Sequence, residues 1–303
     1  MKTSLRLAFL SLLMACSASY AAQPYPPKFD GARMETYKKV GDVTLTLHVF
    51  EPAGPAQTNR PAIVFFFGGG WTNGSPTQFE QHCRHLAARG MVAITADYRV
   101  ASRHQVKATA CTADAKSAIR WVRQNAKRLG IDPQRIAAGG GSAGGHLAAA
   151  TATVPGFDEP GEDTKISATP NALVLFNPAL VLAPIEGVDL QGFESRVGSD
   201  RMGTDPKNLS PAHHVKRGTP PTIIFHGKAD TTVPYSTAEA FTTLMKKAGN
   251  RCELVGYEGK QHGFFNHGRA NGLYPETLAA MDQFLVSLGW LAKMTTAVGA
   301  GSR

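Results

Sequence analysis

The run Gly139-Gly140-Gly141-Ser142-Ala143-Gly144 leaves this chain few ways to fold. Arg135 to Ala138 reads as a short strand, and Ala143 to Thr153 reads as a helix of small residues. The chain must therefore turn sharply at the glycines. Gly140 to Gly144 has the spacing G-x-S-x-G, which in a strand–turn–helix context lifts a serine hydroxyl above a sheet on a strained turn. Glycines on both sides leave room for such a turn. The helix start behind Ser142 presents unpaired N–H groups and a positive dipole end to any negative charge that develops there. Gly139, Gly141 and Gly144 also spell G-x-G-x-x-G, a dinucleotide-binding pattern. That pattern needs a second strand ending in an acid about 20 residues on. Pro160-Gly161-Glu162-Asp163 occupies that place with no strand before it. A Gly-Lys-Ser/Thr phosphate loop is absent too, so no nucleotide cofactor is expected.

Around this turn, strand and helix patterns alternate. Val43–Phe50 alternates like a half-buried strand, and Ile63–Phe67 and Met91–Ala96 are continuous apolar runs suited to strands buried on both faces. Ala172–Phe176, Thr222–Phe225 and Glu253–Tyr257 read as further strands. Phe79–Arg89, Ala113–Leu129, Ser236–Ala248 and Pro275–Leu288 read as helices, the second with Ala115, Ala118, Ile119 and Val122 on one stripe. This βαβα order predicts an α/β fold, a mostly parallel central sheet with helices on both faces. Two irregular stretches, 155–170 and 181–215, are expected to overhang the carboxyl edge of the sheet. There are no internal repeats, so residues 22–303 are taken as a single domain. It opens on a Pro-rich lead-in over 22–32 and closes on a small, polar tail over 293–303, expected to be disordered.

The 303 residues suffice for a large core, and 43% hydrophobic with 18% charged residues is ordinary for a globular protein. No apolar run reaches the roughly 18 residues of a membrane span. Residues 1–21 read as an export signal: Lys2 and Arg6, then an apolar run from Leu7 to Ala15, then Ser19-Tyr20-Ala21. Leu13-Met14-Ala15-Cys16 also resembles a lipoprotein cleavage box, so a lipid anchor at Cys16 is the alternative to soluble export. The net charge of +9 comes from scattered basic residues rather than a basic arm, which argues for solvated surface charge and against a nucleic-acid partner. The cysteines have no zinc spacing. In an oxidising compartment a disulfide between Cys83 and Cys111 is expected if their helices meet within about 7 Å. Those helices flank one strand, and they can also lie on opposite faces of the sheet.

Serine is a weak nucleophile and needs a base. Histidine suits that task near neutral pH. After Ser142, two strand-end loops carry the needed groups: Asp230 in His226-Gly227-Lys228-Ala229-Asp230, and His262 in Gly259-Lys260-Gln261-His262-Gly263-Phe264. Both follow parallel strands at their carboxyl ends, where such sheets place their sites. Asp230 could instead cap a turn, and His262 could be a surface histidine. His226 fits a core histidine at a strand end, His213 and His214 sit in an unpatterned loop, and His82 and His85 lack a third ligand for a metal.

Phe67-Gly68-Gly69-Gly70-Trp71 follows a buried strand, and its glycines let backbone N–H groups face a site unobstructed. These segments, with Asp97-Tyr98-Arg99 and Asp114 to Val122, make the chain resemble the acetyl-esterase and hormone-sensitive-lipase-like branch of the α/β-hydrolases. Within that branch it resembles especially the bacterial carbohydrate esterases of acetyl-xylan or feruloyl type. The resemblance covers almost the whole chain beyond the signal. It implies an α/β-hydrolase fold and a Ser142–His262–Asp230 triad. It also implies oxyanion-hole N–H groups from Gly69, Gly70 and Ala143, and a structural role for Asp97-Tyr98-Arg99. Trp71 is assigned to substrate binding. The family's usual His-Gly-Gly-Gly has Phe67 in place of histidine, so the loop must be held by packing. The expected reaction is hydrolysis of short acyl esters, small or polysaccharide-linked, with neither cofactor nor metal. A peptidase or lipase of the same fold, or a hydrolase-fold binding protein without activity, is the alternative.

Overall fold

The computed structural model describes residues 25–55 and 57–293. The expected export signal, the Cys16 anchor and all but the first residue of the expected tail lie outside the described residues.

Eight strands form one sheet: β1 (Ala32–Val40), β2 (Val43–Phe50), β3 (Arg60–Phe66), β4 (Val92–Ala96), β5 (Ile131–Gly141), β6 (Ala172–Phe176), β7 (Thr222–Gly227) and β8 (Cys252–Tyr257). Their spatial order is β1-β2-β4-β3-β5-β6-β7-β8. β2 pairs antiparallel with β1 and β4, and every other pair is parallel. The helices are α1 (Glu80–Ala88), α2 (Ala101–His104), α3 (Ala108–Gln124), α4 (Ala143–Thr153), α5 (Phe193–Arg196), α6 (Ser199–Met202), α7 (Pro206–Leu209), α8 (Tyr235–Lys247) and α9 (Tyr274–Ser287).

Successive side chains of the central strands feed two cores. Val64 and Phe66 join α3, α4 and α8 on one face; Ile63 and Phe65 join α1 and α9 on the other. All four are fully buried, and each contributes about 1.5–3 kcal/mol by leaving water. Continuous apolar runs in the sequence are what burial on both faces requires.

The expected disulfide between Cys83 and Cys111 is corrected here: both thiols are free and buried. Sheet order gives the reason. The β3-to-β4 crossover moves one way along the sheet and the β4-to-β5 crossover moves back past β3. Right-handed crossovers running in opposite directions lie on opposite faces. Cys83 on α1 therefore belongs to one core and Cys111 on α3 to the other. The Cys111 thiol instead donates to the Arg99 carbonyl at 3.1 Å.

Two other differences concern polarity. β1 was not legible as a strand because it lies at the sheet edge with Arg33, Met34, Thr36 and Lys39 exposed, so its sequence does not alternate. The stretch 181–215 is not plain loop; it folds into α5, α6 and α7 above the carboxyl edge. Asp97-Tyr98-Arg99 ends up structural. Arg99 grips the fully buried Asp114 with Nε and Nη2 at 2.8 and 2.7 Å, and Lys38 reaches Asp114 at 2.7 Å.

Strand register brings the site together. Phe66 pairs with Gly140, Gly141 with Phe176, Phe176 with Phe225, and Phe225 with Val255. The loops that follow β3, β5, β7 and β8 therefore emerge along one edge.

Candidate active site

Ser142 links β5 to α4 with φ 55° and ψ −119°. A non-glycine residue there is strained, a conformation that persists where surrounding contacts impose it. The glycines around it are fixed by close approach. A Cβ on Gly140 would lie 2.5 Å from the Phe66 and Gly144 carbonyl oxygens, and one on Gly144 would lie 2.0 Å from Phe66 O. A side chain at either position would push α4 away from β3. The Ser142 carbonyl accepts the first helical bond, from His146 N at 2.9 Å.

His262 and Asp230 meet as expected. His262 Nδ1 lies 2.7 Å from Asp230 Oδ2. The other carboxylate oxygen accepts from the backbone N–H groups of Thr232 and Val233 at 2.8 and 2.9 Å. Burial alone would raise the Asp230 pKa. Hydrogen bonds from His226 and His262, the His262 charge and the Val233 N–H outweigh it, holding the carboxyl well below the usual range. Asp230 thus stays anionic and holds a proton on His262 Nδ1, which leaves Nε2 with a lone pair able to accept a proton. His226 is a fully buried strand-end histidine that faces the Val233 carbonyl at 2.9 Å and supports the same turn.

Ser142, His262, Gly69, Gly70, Trp71 and Ala143 line one cavity of about 340 Å³, walled on its far side by Phe193, Arg196 and Val197 of the α5 segment and by Arg201 of α6. Among the described residues, no hydrogen bond is donated by the N–H groups of Gly69, Gly70 or Ala143. Trp71 lines this cavity, yet the residue is only 4% exposed and its indole N–H donates to His146 Nδ1 at 3.1 Å. That hydrogen bond anchors the loop to α4. Since Nδ1 accepts, His146 carries its proton on Nε2, which donates to the Leu209 carbonyl at 2.8 Å.

Phe67 replaces the bracing histidine through packing and through its neighbours. Its ring stacks on Tyr98 with centroids 4.1 Å apart, and the Tyr98 hydroxyl donates to the Phe67 carbonyl at 2.7 Å. Gly68 N–H donates to Gln78 Oε1 at 2.6 Å, and Arg201 Nη2 donates to the Gly70 carbonyl at 2.7 Å. Sequence reasoning missed Gln78, Asn266 and Arg201. Each acts through contacts more than 120 positions away or through a backbone group, and no local motif marks them.

The BD-FAE family model matches residues 47–245, and the dienelactone hydrolase family model matches residues 203–294. Esterase LipC of Mycobacterium tuberculosis is 32% identical over 226 residues, covering 70% of this chain and 54% of LipC. The probable carboxylic ester hydrolase LipM of the same organism is 27% identical over 240 residues, covering 75% of this chain and 54% of LipM. The chain spans about half the length of these curated relatives. Among solved structures, esterase 2 of Thermogutta terrifontis, phosphonylated by sarin, superposes with TM-score 0.85 at 55% identity, covering 89% of this chain and all of that one. Its propionate-bound form gives TM-score 0.84 at 56% identity, covering 90% and 100%. With its eight-stranded, mostly parallel sheet and the serine turn after β5, the chain has the α/β-hydrolase fold and belongs to the BD-FAE family.

Proposed function

We propose that this protein hydrolyses carboxylic esters through an acyl-enzyme on Ser142. The observation that carries the reading is that the strained Ser142 and His262 line one cavity, with His262 held from behind by the buried Asp230 at 2.7 Å. His262 takes the Ser142 proton as Oγ attacks the ester carbonyl carbon. The oxygen that gains charge is met by the N–H groups of Gly69, Gly70 and Ala143. His262 then gives the proton to the departing alcohol. Water, giving its proton to His262, attacks the acyl carbon; the bond to Oγ breaks, His262 returns the proton to Ser142 Oγ, and the acid leaves.

Short acyl groups fit best. The cavity is small, and the neighbouring Thermogutta esterase 2 has been described with propionate and with butyrate bound. Acetyl and butyryl esters are therefore the proposed substrates, including acetyl groups on polysaccharide, and the export signal read in residues 1–21 supports action outside the cytoplasm. The forms of that neighbour carrying sarin and paraoxon adducts support the choice of test. An organophosphonate should label Ser142 stoichiometrically, and Ser142→Ala should lose labelling and reduce hydrolysis of 4-nitrophenyl acetate by several orders of magnitude. Full activity in Ser142→Ala, or labelling at another residue, rejects the mechanism. Octanoyl esters outrunning acetyl esters would move the substrate reading to lipids.

A further inference from the structure

Two guanidinium groups stand in the wall of the catalytic cavity without an acid. Arg201 is held by neutral acceptors: Gly70 O at 2.7 Å from Nη2 and 3.2 Å from Nε, Arg196 O at 3.1 Å, and Thr72 Oγ1 at 3.2 Å. Arg196 reaches only the Thr231 carbonyl, at 3.4 and 3.5 Å, and lies over the Phe193 ring at 5.4 Å. Among the described residues neither forms a salt bridge, whereas Arg99, Arg120 and Arg135 all do. Glu194 and Asp200 lie on the same short helices, but neither lines the cavity. Trp71, Ala179, Phe193, Val197 and Val233 give the wall an apolar part, beside the polar Ser142, Thr232 and His262. Both side chains are exposed, so their charges act on a ligand mainly at hydrogen-bonding range.

The position of Arg201 relative to the Gly69-Gly70 loop is fixed. A Cβ placed on Gly70 would lie 2.6 Å from Arg201 Nη2, so that guanidinium sits directly against the oxyanion loop. Arg201 is immobilised by four hydrogen bonds. Arg196, with only long ones, keeps most of its five donors available. A fixed charge beside a free, fork-shaped donor is an arrangement suited to a carboxylate.

We infer that Arg196 and Arg201 form an anion subsite, and that this site selects esters bearing a carboxylate a few bonds from the scissile carbonyl. The inference rests on the ester-hydrolase reading above. The carboxylate can belong to the acyl part, as in a half-ester of a dicarboxylic acid, or to the alcohol part, as in an acetylated hydroxy acid. Arg196 is the specificity-determining member. Arg201 also supports the loop, so it is not the residue to vary.

The test is a ratio of kcat/KM values, followed by pH-stat. The acyl arm compares ethyl hydrogen glutarate with ethyl pentanoate, and the alcohol arm compares 3-acetoxypropanoate with propyl acetate. In at least one arm the ratio should fall about tenfold in Arg196→Gln and further in Arg196→Glu, as expected for losing one well-placed charge pair. It should also shrink toward the variants' value in about 0.5 M NaCl. The arm that responds tells which side of the ester carries the charge. Arg196 is exposed, so the variants should fold. Glutarate binding to Ser142→Ala protein, measured by calorimetry and weakened about tenfold by Arg196→Gln, reads the subsite independently of turnover. Ratios unchanged in both arms, with glutarate binding also unchanged, overturn the inference. If no ester is cleaved but glutarate binding depends on Arg196, the hydrolase reading fails and the subsite stands.

Discussion

Gln78 Nε2 donates to Asn266 Oδ1 at 2.9 Å, joining residues 188 positions apart. The same Gln78 accepts from Gly68 N–H through Oε1, and Asn266 Nδ2 donates to the Gly263 carbonyl at 2.9 Å. Gly263 N–H in turn donates to Asn177 Oδ1 at 2.8 Å, at the end of β6. One chain of hydrogen bonds therefore ties the Gly68–Trp71 loop to the loop that carries His262. Neither Gln78 nor Asn266 lines the cavity that holds Ser142, so they act as positioning residues.

Removing that tie should loosen both loops at once. Gln78→Ala is expected to lower kcat about tenfold on 4-nitrophenyl acetate with little change in KM, because the donors would be misplaced for the transition state more than for bound substrate. Asn266→Ala should do the same, and the double variant should be little worse than either one, as for residues that act as a unit. Steady-state kinetics of the three proteins checks this, and fully additive losses would separate the two residues.

The Ser142 backbone should reveal its strain in stability. Ser142→Gly is expected to be about 1 kcal/mol more stable than Ser142→Ala, since glycine tolerates φ 55° and alanine does not. Chemical denaturation of the two inactive proteins measures the difference. Equal stabilities would mean that the turn is not strained.

Acid should destabilise the fold through its buried histidines. Burial pushes His82 down to about 3, and His48 and His146 to about 4. Unfolded histidine titrates near 6.5. Below that pH the unfolded chain takes up protons that the folded chain refuses. This stability is complete above about pH 6.5 and is lost as pH falls toward 4. Asp97, raised to about 6 chiefly by burial, acts in the opposite sense over the same window and offsets part of the loss. His82 sits among Phe65, Phe79, Phe176 and Phe265 with neither ring nitrogen hydrogen-bonded. His82→Phe should therefore narrow the difference in Tm between pH 7 and pH 4.5. Thermal melts at the two pH values test it, and an unchanged difference would take His82 out of the account.

Thiol chemistry should follow the sheet order. A chain beginning at residue 22, denatured without reductant, should titrate three thiols, from Cys83, Cys111 and Cys252. A count of one would restore the bridge that the two-faced packing rules out.

Much of this protein was legible before any coordinate. The G-x-S-x-G turn is a local demand: only residues without a side chain allow β5, α4 and β3 to come as close as Gly140 and Gly144 do, so Ser142 could be found from five residues. Asp230 and His262 were readable because strand ends in a parallel sheet share one edge, and the order of elements places their loops there. β2, α4 and β6 fell where periodicity and apolar runs put them, at Val43–Phe50, Ala143–Thr153 and Ala172–Phe176. What the sequence left open depends on register and on the face a helix takes. Nothing in the residues of α1 and α3 says that the chain steps from β3 to β4 and then back past β3 to β5. Yet that reversal, with right-handed crossovers, puts Cys83 and Cys111 on opposite sides of the sheet. The Gln78–Asn266 tie and the placing of Arg201 on Gly70 are likewise contacts across 188 and 131 positions. Such pairs leave no periodic or conformational mark on their own segments, because each partner is ordinary where it stands and gains its role only when the folded sheet brings the two together.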